Sequence, residues 1–316
     1  MTSSVIGLIV LAVVTVLFGW LASRAWRAHG VGAKWLGGIF ASLFTLIFAA
    51  LAILGAVGTY KLFRSNSVSV PDVTASGAPE QVARGEHLAE VLCAGCHSLS
   101  GNLPLSGGKN LSADAGMPLG DIYAPNITPA GDIKDMDDSQ LFRLLRTGVS
   151  EEGRATAMAA VTGPQALSDE DALAVIAYLR HSPAVENETP GYKPTVLMAL
   201  LAGAGMVKLD PPSAVTSISA PQKAASVSYG EYIVAYMDCR SCHGQKFDGN
   251  VPPPFPPGPN LQADFLGWSK EQFLTEISNH LAAPKPGEVM PWKDVSRLDD
   301  VELEALYLYL HETVSK

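Results

Sequence analysis

The chain has 316 residues, of which 47% are apolar and 17% are charged, and its formal net charge is -9. This length is enough for two domains of ordinary size, and the charged fraction is low for a purely soluble protein. Residues 1–64 contain five basic residues and no acidic ones, so residues 65–316 carry 17 basic against 31 acidic residues. This acidic part excludes a nucleic-acid binder, which needs clustered cations to displace counterions from phosphates. It also excludes docking onto anionic lipid by charge.

Two apolar runs near the N-terminus predict a transmembrane hairpin. Residues 5–22 give roughly 27 Å of helix and residues 35–60 give about 39 Å, each enough to cross a bilayer. No Lys or Arg precedes the first run and no small-residue cleavage site is evident, so we expect a retained anchor rather than a cleaved signal peptide. The residues between the runs include Arg24, Arg27 and Lys34, which predict a cytoplasmic connection and two outward-facing ends.

Beyond the hairpin, two long segments repeat one another. RGEHLAEVLCAGCH in the first is answered by YGEYIVAYMDCRSCH in the second, and LSDEDALAVIAYLRH by LDDVELEALYLYLHE. Each segment is therefore predicted to begin with an amphipathic helix that leads into a Cys-x-x-Cys-His turn, and to end with another helix. Stretches poor in bulky residues complete the predicted organisation: a hairpin (1–64), a linker (65–80), a first unit (81–192), an apolar segment and linker (193–228) and a second unit (229–316).

One apolar stretch within this organisation, residues 195–209, is too short to span a membrane. We expect it to form a helix that packs on the first unit. The alternative is contact with the membrane or with a partner subunit.

All four cysteines lie in two Cys-x-x-Cys-His motifs, residues 93–97 and 239–243. On a helical turn, positions i, i+3 and i+4 share a face, so two sulfurs reach the vinyl groups of a porphyrin while the histidine points at the iron. The alternatives are a redox dithiol, a zinc site and a disulfide. A zinc site would have to join cysteine pairs 146 residues apart and would leave the histidines unexplained, and a disulfide would explain neither the histidines nor the duplication. The motifs therefore predict two covalently bound haem c groups, held by Cys93, Cys96 and His97 and by Cys239, Cys242 and His243.

The first unit contains YAPNITP (123–129), FRLLRTGVSEEGR (142–154) and LSDEDALAVIAYLR (167–180). Through these motifs it resembles the membrane-associated cytochrome c subunits of alcohol and gluconate dehydrogenases, which usually carry three haems and no N-terminal hairpin. The second unit resembles a class I cytochrome c domain through CRSCHG, GPNL (258–261) and the Met-Pro-Trp run at 290–292. The resemblance implies an all-α fold, in which two class I cytochrome c-like helical domains follow the transmembrane hairpin.

The resemblance also implies that a methionine before the closing helix completes the coordination of each iron. Met290 lies eight residues before Leu298, as expected of that loop. Superposition of the repeats puts Met158 in the corresponding place of the first unit, with Met117 as the alternative. With both irons closed by methionine we expect two low-spin haems and no peroxide turnover. The remaining histidines of the two units are expected to be surface or helix-end residues rather than ligands: His87, His181, His280 and His311.

The exterior part shows neither a nucleophile and base pair nor a phosphate-binding glycine loop, so we expect an electron carrier rather than an enzyme. The expected role is a relay of single electrons on the periplasmic face of a bacterial cytoplasmic membrane, within a respiratory or photosynthetic complex. Expected partners are the lipid bilayer and a quinol-oxidising complex, a terminal oxidase or a dehydrogenase; the acidic surface also suits a soluble carrier with a basic patch. The alternatives are an electron-accepting, anchoring subunit of a periplasmic dehydrogenase and a dihaem peroxidase, which would need one iron without methionine.

Overall fold

The structure is a computed structural model that describes residues 2–114, 116, 118–160, 162–207, 209–251, 257–262, 267–283 and 290–314. The described residues form helices and loops, apart from an antiparallel pair of two-residue strands, β1 (Gly120–Asp121) and β2 (Lys193–Pro194). The predicted all-α class is therefore confirmed, with this small sheet as an addition.

Two long apolar helices form the N-terminal hairpin. α1 spans Thr2–Trp26, and α2 spans Gly38–Phe63 after a π-helical turn at Ala33–Gly37. Both helices are long and apolar enough to cross a membrane. α1 contains the first predicted run, and α2 together with the π-helical turn contains the second. Phe18 of α1 stacks on Phe44 of α2 with ring centroids 5.1 Å apart, which adds a specific contact to the apolar packing.

The two units have corresponding sets of helices. In the first unit these are α3 (Pro79–Leu92), α4 (Ala94–His97), α5 (Leu111–Asp114), α6 (Asp138–Thr147) and α7 (Asp169–His181), with 3-10 turns at Ala157–Ala160 and Pro164–Ala166. The connecting segment contains α8 (Val196–Gly203). The second unit contains α9 (Val227–Tyr236), α10 (Arg240–His243), α11 (Lys270–Ala282), α12 (Trp292–Val295) and α13 (Asp300–Val314).

The opening and closing helices begin at residues suited to helix starts. Pro79 occupies the first turn of α3, where the N–H that it lacks would have no helical partner. Ser168 caps α7 by accepting a hydrogen bond from the backbone N–H of Asp171 at 3.1 Å. At α13, the Asp299 carboxylate accepts from the backbone N–H of Glu302 at 3.0 Å.

The opening helix crosses the closing helix in the same way in both units: α3 packs on α7, and α9 packs on α13. A Cβ atom on Gly85 would lie 1.8 Å from the carbonyl oxygen of Ala174, and one on Gly230 would lie 2.0 Å from that of Ala305. No side chain fits in either space, so the glycines allow direct backbone contact between the helices. The glycine repeated in the two opening helices therefore has a packing reason.

A buried ionic network joins the two units, which also share one apolar core. Arg84 of α3 donates two hydrogen bonds of 2.9 Å to Asp171 and one of 2.8 Å to Glu302 of the second unit. His87 Nε2 lies 2.6 Å from the other oxygen of Glu302, whose side chain is completely buried. His87, expected at a surface or helix end, is thus an interface residue.

The charge state of Glu302 follows from these contacts. Burial by itself would raise the pKa of Glu302, but the hydrogen bonds and charge from His87 and Arg84 outweigh it and hold this pKa well below its ordinary value. A carboxylate that stays charged while fully buried contributes to stability only as long as its partners remain in place.

The apolar stretch expected to pack on the first unit packs chiefly on the hairpin. α8 lies along the end of α2 and also touches α1. Three side chains of α8 are buried in a cluster that also contains Leu62 of α2 and Ala155 of the first unit: Met198, Ala199 and Ala202. The segment therefore contacts the first unit as expected, but it joins that unit to the hairpin.

The two predicted linkers are extended and pair with each other. The Ser69 N–H donates to the carbonyl of Ser213, and the Val215 N–H donates to the carbonyl of Ser69, each at 2.9 Å. The Val73 N–H also donates to the side chain of Ser139 in the first unit at 3.0 Å. Residues 65–80 thus run along folded structure.

Candidate haem-binding sites

Each Cys-x-x-Cys-His motif lies in a short helical turn after an opening helix. α4 follows α3 in the first unit, and α10 follows α9 in the second. The backbone N–H of His97 donates to Cys93 O at 2.8 Å, and that of His243 donates to Cys239 O at 3.0 Å. These bonds put the first cysteine and the histidine of each motif on one face of the turn, as covalent attachment with axial ligation requires.

Both motif histidines are held through Nδ1, which leaves Nε2 for a metal. His97 Nδ1 lies 2.9 Å from the carbonyl oxygen of Pro125, and His243 Nδ1 lies 3.1 Å from that of Pro259. A carbonyl oxygen only accepts, so Nδ1 carries the proton and Nε2 keeps its lone pair. Burial lowers the pKa of His97 despite the bond to Pro125, which favours the neutral imidazole that a metal needs.

The carbonyls of Pro125 and Pro259 are site groups that the Cys-x-x-Cys-His motifs do not predict. A Pro-Asn pair follows each motif, at 125–126 within YAPNITP and at 259–260 within GPNL. The proline is 28 residues after the histidine in the first unit but only 16 residues after it in the second. Because the spacing differs, counting residues from the two histidines does not align the two prolines. The Pro-Asn pair that both units share would have aligned them.

The imidazole of His243 packs against the backbone of Gly258, where a side chain would not fit. A Cβ atom at this position would lie 2.8 Å from His243 Nδ1 and 3.0 Å from the carbonyl oxygen of Cys242. A larger residue would push the imidazole from its bond with Pro259. The position of the imidazole thus depends on the absence of a side chain.

The four cysteines suit thioether attachment better than reactive dithiol chemistry. All four lie in the described part of the chain and form no disulfide there. Burial raises the pKa of Cys93 and of Cys239 to about 12, which disfavours the free thiolate that a reactive dithiol uses. With the histidine Nε2 atoms, these thiols supply the donor set that covalent haem requires.

The predicted methionine ligands occupy different surroundings. Met290 is half-buried against the shared core just before α12. Met158 is half-buried in the Ala157–Ala160 turn, where its N–H donates to Thr156 Oγ1 at 3.2 Å and its carbonyl accepts from Gln165 at 3.0 Å. Met117 lies outside the described residues. The ligand roles of Met158 and Met290 stay predictions.

Trp292, two residues after Met290, has a buried indole N–H with no acceptor among the described residues. Its ring stacks on His280 at a centroid distance of 4.3 Å, so His280 is a packing partner of the tryptophan. An unsatisfied buried donor costs about 1–3 kcal/mol. An anionic oxygen such as a haem propionate would satisfy it, so this position also fits a bound haem.

Residues 290–297, named here the Met290 strap, lie against the haem motif of the first unit. A Cβ atom on Gly95 would lie 3.0 Å from Asp294 Oδ2. Arg297 donates to the carbonyl of Glu90 at 2.8 Å, and Lys293 donates to that of Ser100 at 3.0 Å. These contacts surround residues 93–97. The segment carrying the predicted methionine of the second unit therefore touches the haem-binding turn of the first.

Comparisons with known proteins cover both units. Residues 82–183 match the family described as cytochrome c, and residues 225–310 match the family described as cytochrome c oxidase, cbb3-type, subunit III. The chain is also similar to the gluconate 2-dehydrogenase cytochrome c subunit of Pantoea cypripedii. The two are 37% identical over 105 residues, which are 32% of this chain and 23% of that protein. The chain thus spans about a quarter of the length of the curated relative that it matches.

The matched families and the motif geometry agree on the chemistry of the chain. Two cytochrome c domains imply two covalently bound haem c groups, and haem c supplies one-electron oxidation and reduction when bound. The chain is therefore a dihaem cytochrome c with two cytochrome c domains, and it resembles the cytochrome c subunits of dehydrogenases.

Proposed function

We propose that this cytochrome is a membrane-anchored relay that passes single electrons between its two haems on the periplasmic face of a bacterial cytoplasmic membrane. It serves there as a subunit of a respiratory or photosynthetic complex. The observation that carries the proposal is the contact of the Met290 strap with the first haem motif, since electron transfer between two sites within one protein needs them close together. The resemblance of the second unit to an oxidase subunit supports the respiratory setting.

In this proposal, Cys93 and Cys96 attach the first haem and His97 binds its iron. Cys239, Cys242 and His243 do the same for the second haem. Met158 and Met290 supply the sixth ligands, which close both irons to oxygen and peroxide. The protein otherwise contributes a dry pocket and a fixed separation of the two sites, as an outer-sphere electron carrier requires.

The charge distribution of the hairpin supports the proposed membrane orientation of the relay. Arg24 lies in the last turn of α1, Arg27 and Lys34 lie between α1 and α2, and residues 1–64 contain no acidic residue. This distribution supports a cytoplasmic turn and periplasmic haem domains. Anchoring would also raise the local concentration of the relay beside membrane enzymes.

The test uses the full-length holoprotein in mild detergent. A pyridine haemochrome assay should give two haems per chain. Photoreduction by a soluble ruthenium sensitiser should then show a fast phase followed by a redistribution between haems whose rate does not depend on protein concentration. Two independent bimolecular phases would refute a relay within the chain. Isolation of the native complex should recover a quinol-oxidising complex or a terminal oxidase.

A second candidate is an electron-accepting, anchoring subunit of a periplasmic dehydrogenase. It is favoured by the similarity of the first unit to a subunit of gluconate 2-dehydrogenase. Stoichiometric recovery of a flavoprotein or quinoprotein in the same isolation would select this function. The relay between the haems would operate in both cases, so the isolation decides the partner and the photoreduction decides the mechanism.

A further inference from the structure

We infer that residues 194–207, named here the re-entrant segment, dip into the periplasmic leaflet beside the hairpin and are covered there by lipid acyl chains. The inference rests on the proposed anchoring of the hairpin in a membrane. It adds a third membrane element to the chain, in a stretch that is too short to span.

The direction of α8 follows from two close contacts with α2. A Cβ atom on Gly58 would lie 1.6 Å from the carbonyl oxygen of Ala199, and one on Gly203 would lie 1.9 Å from that of Leu54. A step of four residues along α8 thus matches a step of four residues back along α2, so the two helices run antiparallel. Such backbone contact through small residues is typical of helices packed within membranes.

The depth of the segment follows from the same contacts. Lys61, the basic residue at the periplasmic end of α2, is seven residues beyond Leu54, which corresponds to about 10 Å along a helix. One leaflet contributes about 15 Å of a hydrocarbon core that is about 30 Å thick. Since Gly203 packs beside Leu54, the end of α8 lies inside that leaflet and does not reach the other one.

Polar contacts mark where the segment enters and leaves the membrane. On one side, the Ser4 hydroxyl at the start of α1 donates to the carbonyl of Pro194. On the other side, Lys61 and Arg64 form ion pairs with Asp210. Residues 195–207 contain no charged side chain. The segment therefore has a polar contact near each end and an apolar course between them.

Backbone groups at the C-terminal end of α8 are paired by hydrogen bonds, as a lipid environment requires. Gly205 adopts a left-handed conformation with φ of +75°, and its N–H donates to the carbonyl of Ala202 at 3.2 Å. The N–H of Met206 donates to the carbonyl of Leu201 at 2.9 Å. This pair of bonds is a Schellman cap. It satisfies backbone groups that could not bind water inside a bilayer, where unpaired polar groups are excluded.

The two faces of the segment differ in what covers them. Met198, Ala199 and Ala202 are buried against protein, whereas Leu197 and Leu201 are half-exposed and Met206 is 44% exposed. The uncovered face is apolar, and α8 packs beside Leu54 of α2, which is itself 36% exposed and belongs to the exposed apolar surface of the hairpin. Acyl chains that cover the hairpin therefore also cover this face, which makes lipid the occupant that the structure favours.

The experiment uses the full-length holoprotein in phosphatidylcholine vesicles with one added cysteine carrying a spin label. The four native cysteines are bonded to haem, so the added thiol alone reacts. Met206→Cys reports on the re-entrant segment, Leu46→Cys in the middle of α2 is the lipid reference, and Leu99→Cys on the first unit is the aqueous reference. The two reference side chains are 68% and 76% exposed, so both labels fit at these sites.

Accessibility to oxygen and to a water-soluble nickel chelate is then measured by power saturation. We expect the label at 206 to resemble that at 46, with high oxygen and low nickel accessibility. A label at 206 that resembles the one at 99 would overturn the inference while leaving the hairpin in the membrane. Should the label at 46 itself behave as aqueous, the anchoring fails and the inference fails with it. Leu201→Cys replaces Met206→Cys if that variant does not fold, with the same expected result.

Discussion

Replacement of Arg84 by alanine should loosen the joint between the two cytochrome domains. The guanidinium binds Asp171 with two hydrogen bonds and Glu302 with one, and its own side chain is only 22% exposed. Removal of one partner from a buried ion pair costs about 3–5 kcal/mol. Glu302 keeps His87, and Asp171 keeps the hydroxyl of Tyr232 at 2.7 Å, so we expect the lower end, about 3 kcal/mol.

The assay is thermal and urea unfolding of the full-length holoprotein in detergent, followed by circular dichroism in the Soret band. A loss of about 3 kcal/mol corresponds to a fall in Tm of roughly 6–12 °C for a protein region of this size. Arg154→Ala is the matched control, because Arg154 pairs with Glu152 at 3.6 Å and both side chains are largely exposed. That control should change stability by less than about 0.5 kcal/mol. Equal effects of the two variants would refute the view that the buried network holds the domains together.

Three further predictions concern the same network and the two haem sites. Glu302 has a lowered pKa in the folded state, so its stabilisation is complete above the ordinary carboxyl value of about 4.3 and is lost as the pH falls through the folded pKa. Glu302→Gln should therefore be less stable than the unaltered protein at pH 6, and urea titrations should show this difference beginning to shrink as the pH falls below about 4.3. A difference that stays constant in acid would contradict the charge assignment. Gly258→Ala should displace His243 and change the potential of one haem only, in a potentiometric titration, whereas Gly191→Ala, which meets nothing within 4 Å, should change neither. Met158→Leu should remove the far-red methionine-to-iron absorbance of one haem, and an unchanged spectrum would assign that ligand to another group such as Met117.

The sequence repeat explains the fold of each unit but not the contacts between the two units. A glycine recurs in both opening helices because Gly85 and Gly230 occupy equivalent helix crossings. The contacts between the domains are not repeated. Arg84 binds Glu302 across the interface, whereas the position of the second unit that corresponds to Arg84 is Tyr229. The hydroxyl of Tyr229 accepts a hydrogen bond of 3.1 Å from the Arg84 guanidinium. Duplication thus explains the fold of each unit, and unrepeated residues explain how the units are joined.

Local sequence patterns were sufficient to predict the class of protein. The hairpin follows from two uncharged apolar runs, and the haem chemistry follows from cysteines and a histidine within five residues, because both depend on neighbours along one helix. Helix starts at Pro79 and Ser168 are equally local. These features could be predicted from the amino-acid sequence because no distant residue is needed to form them.

Tertiary structure alone decided which distant groups complete these features. The carbonyl of Pro125 reaches His97 over 28 residues, Arg84 reaches Glu302 over 218, and α8 packs on α2 from nearly 150 residues away. Such contacts depend on how the loops close and at what angle the helices cross. That geometry cannot be predicted from the composition or the periodicity of the sequence. A short apolar stretch is equally compatible with a core, a partner or a lipid leaflet, and only the backbone contact between Gly58 and Ala199 places it beside the hairpin.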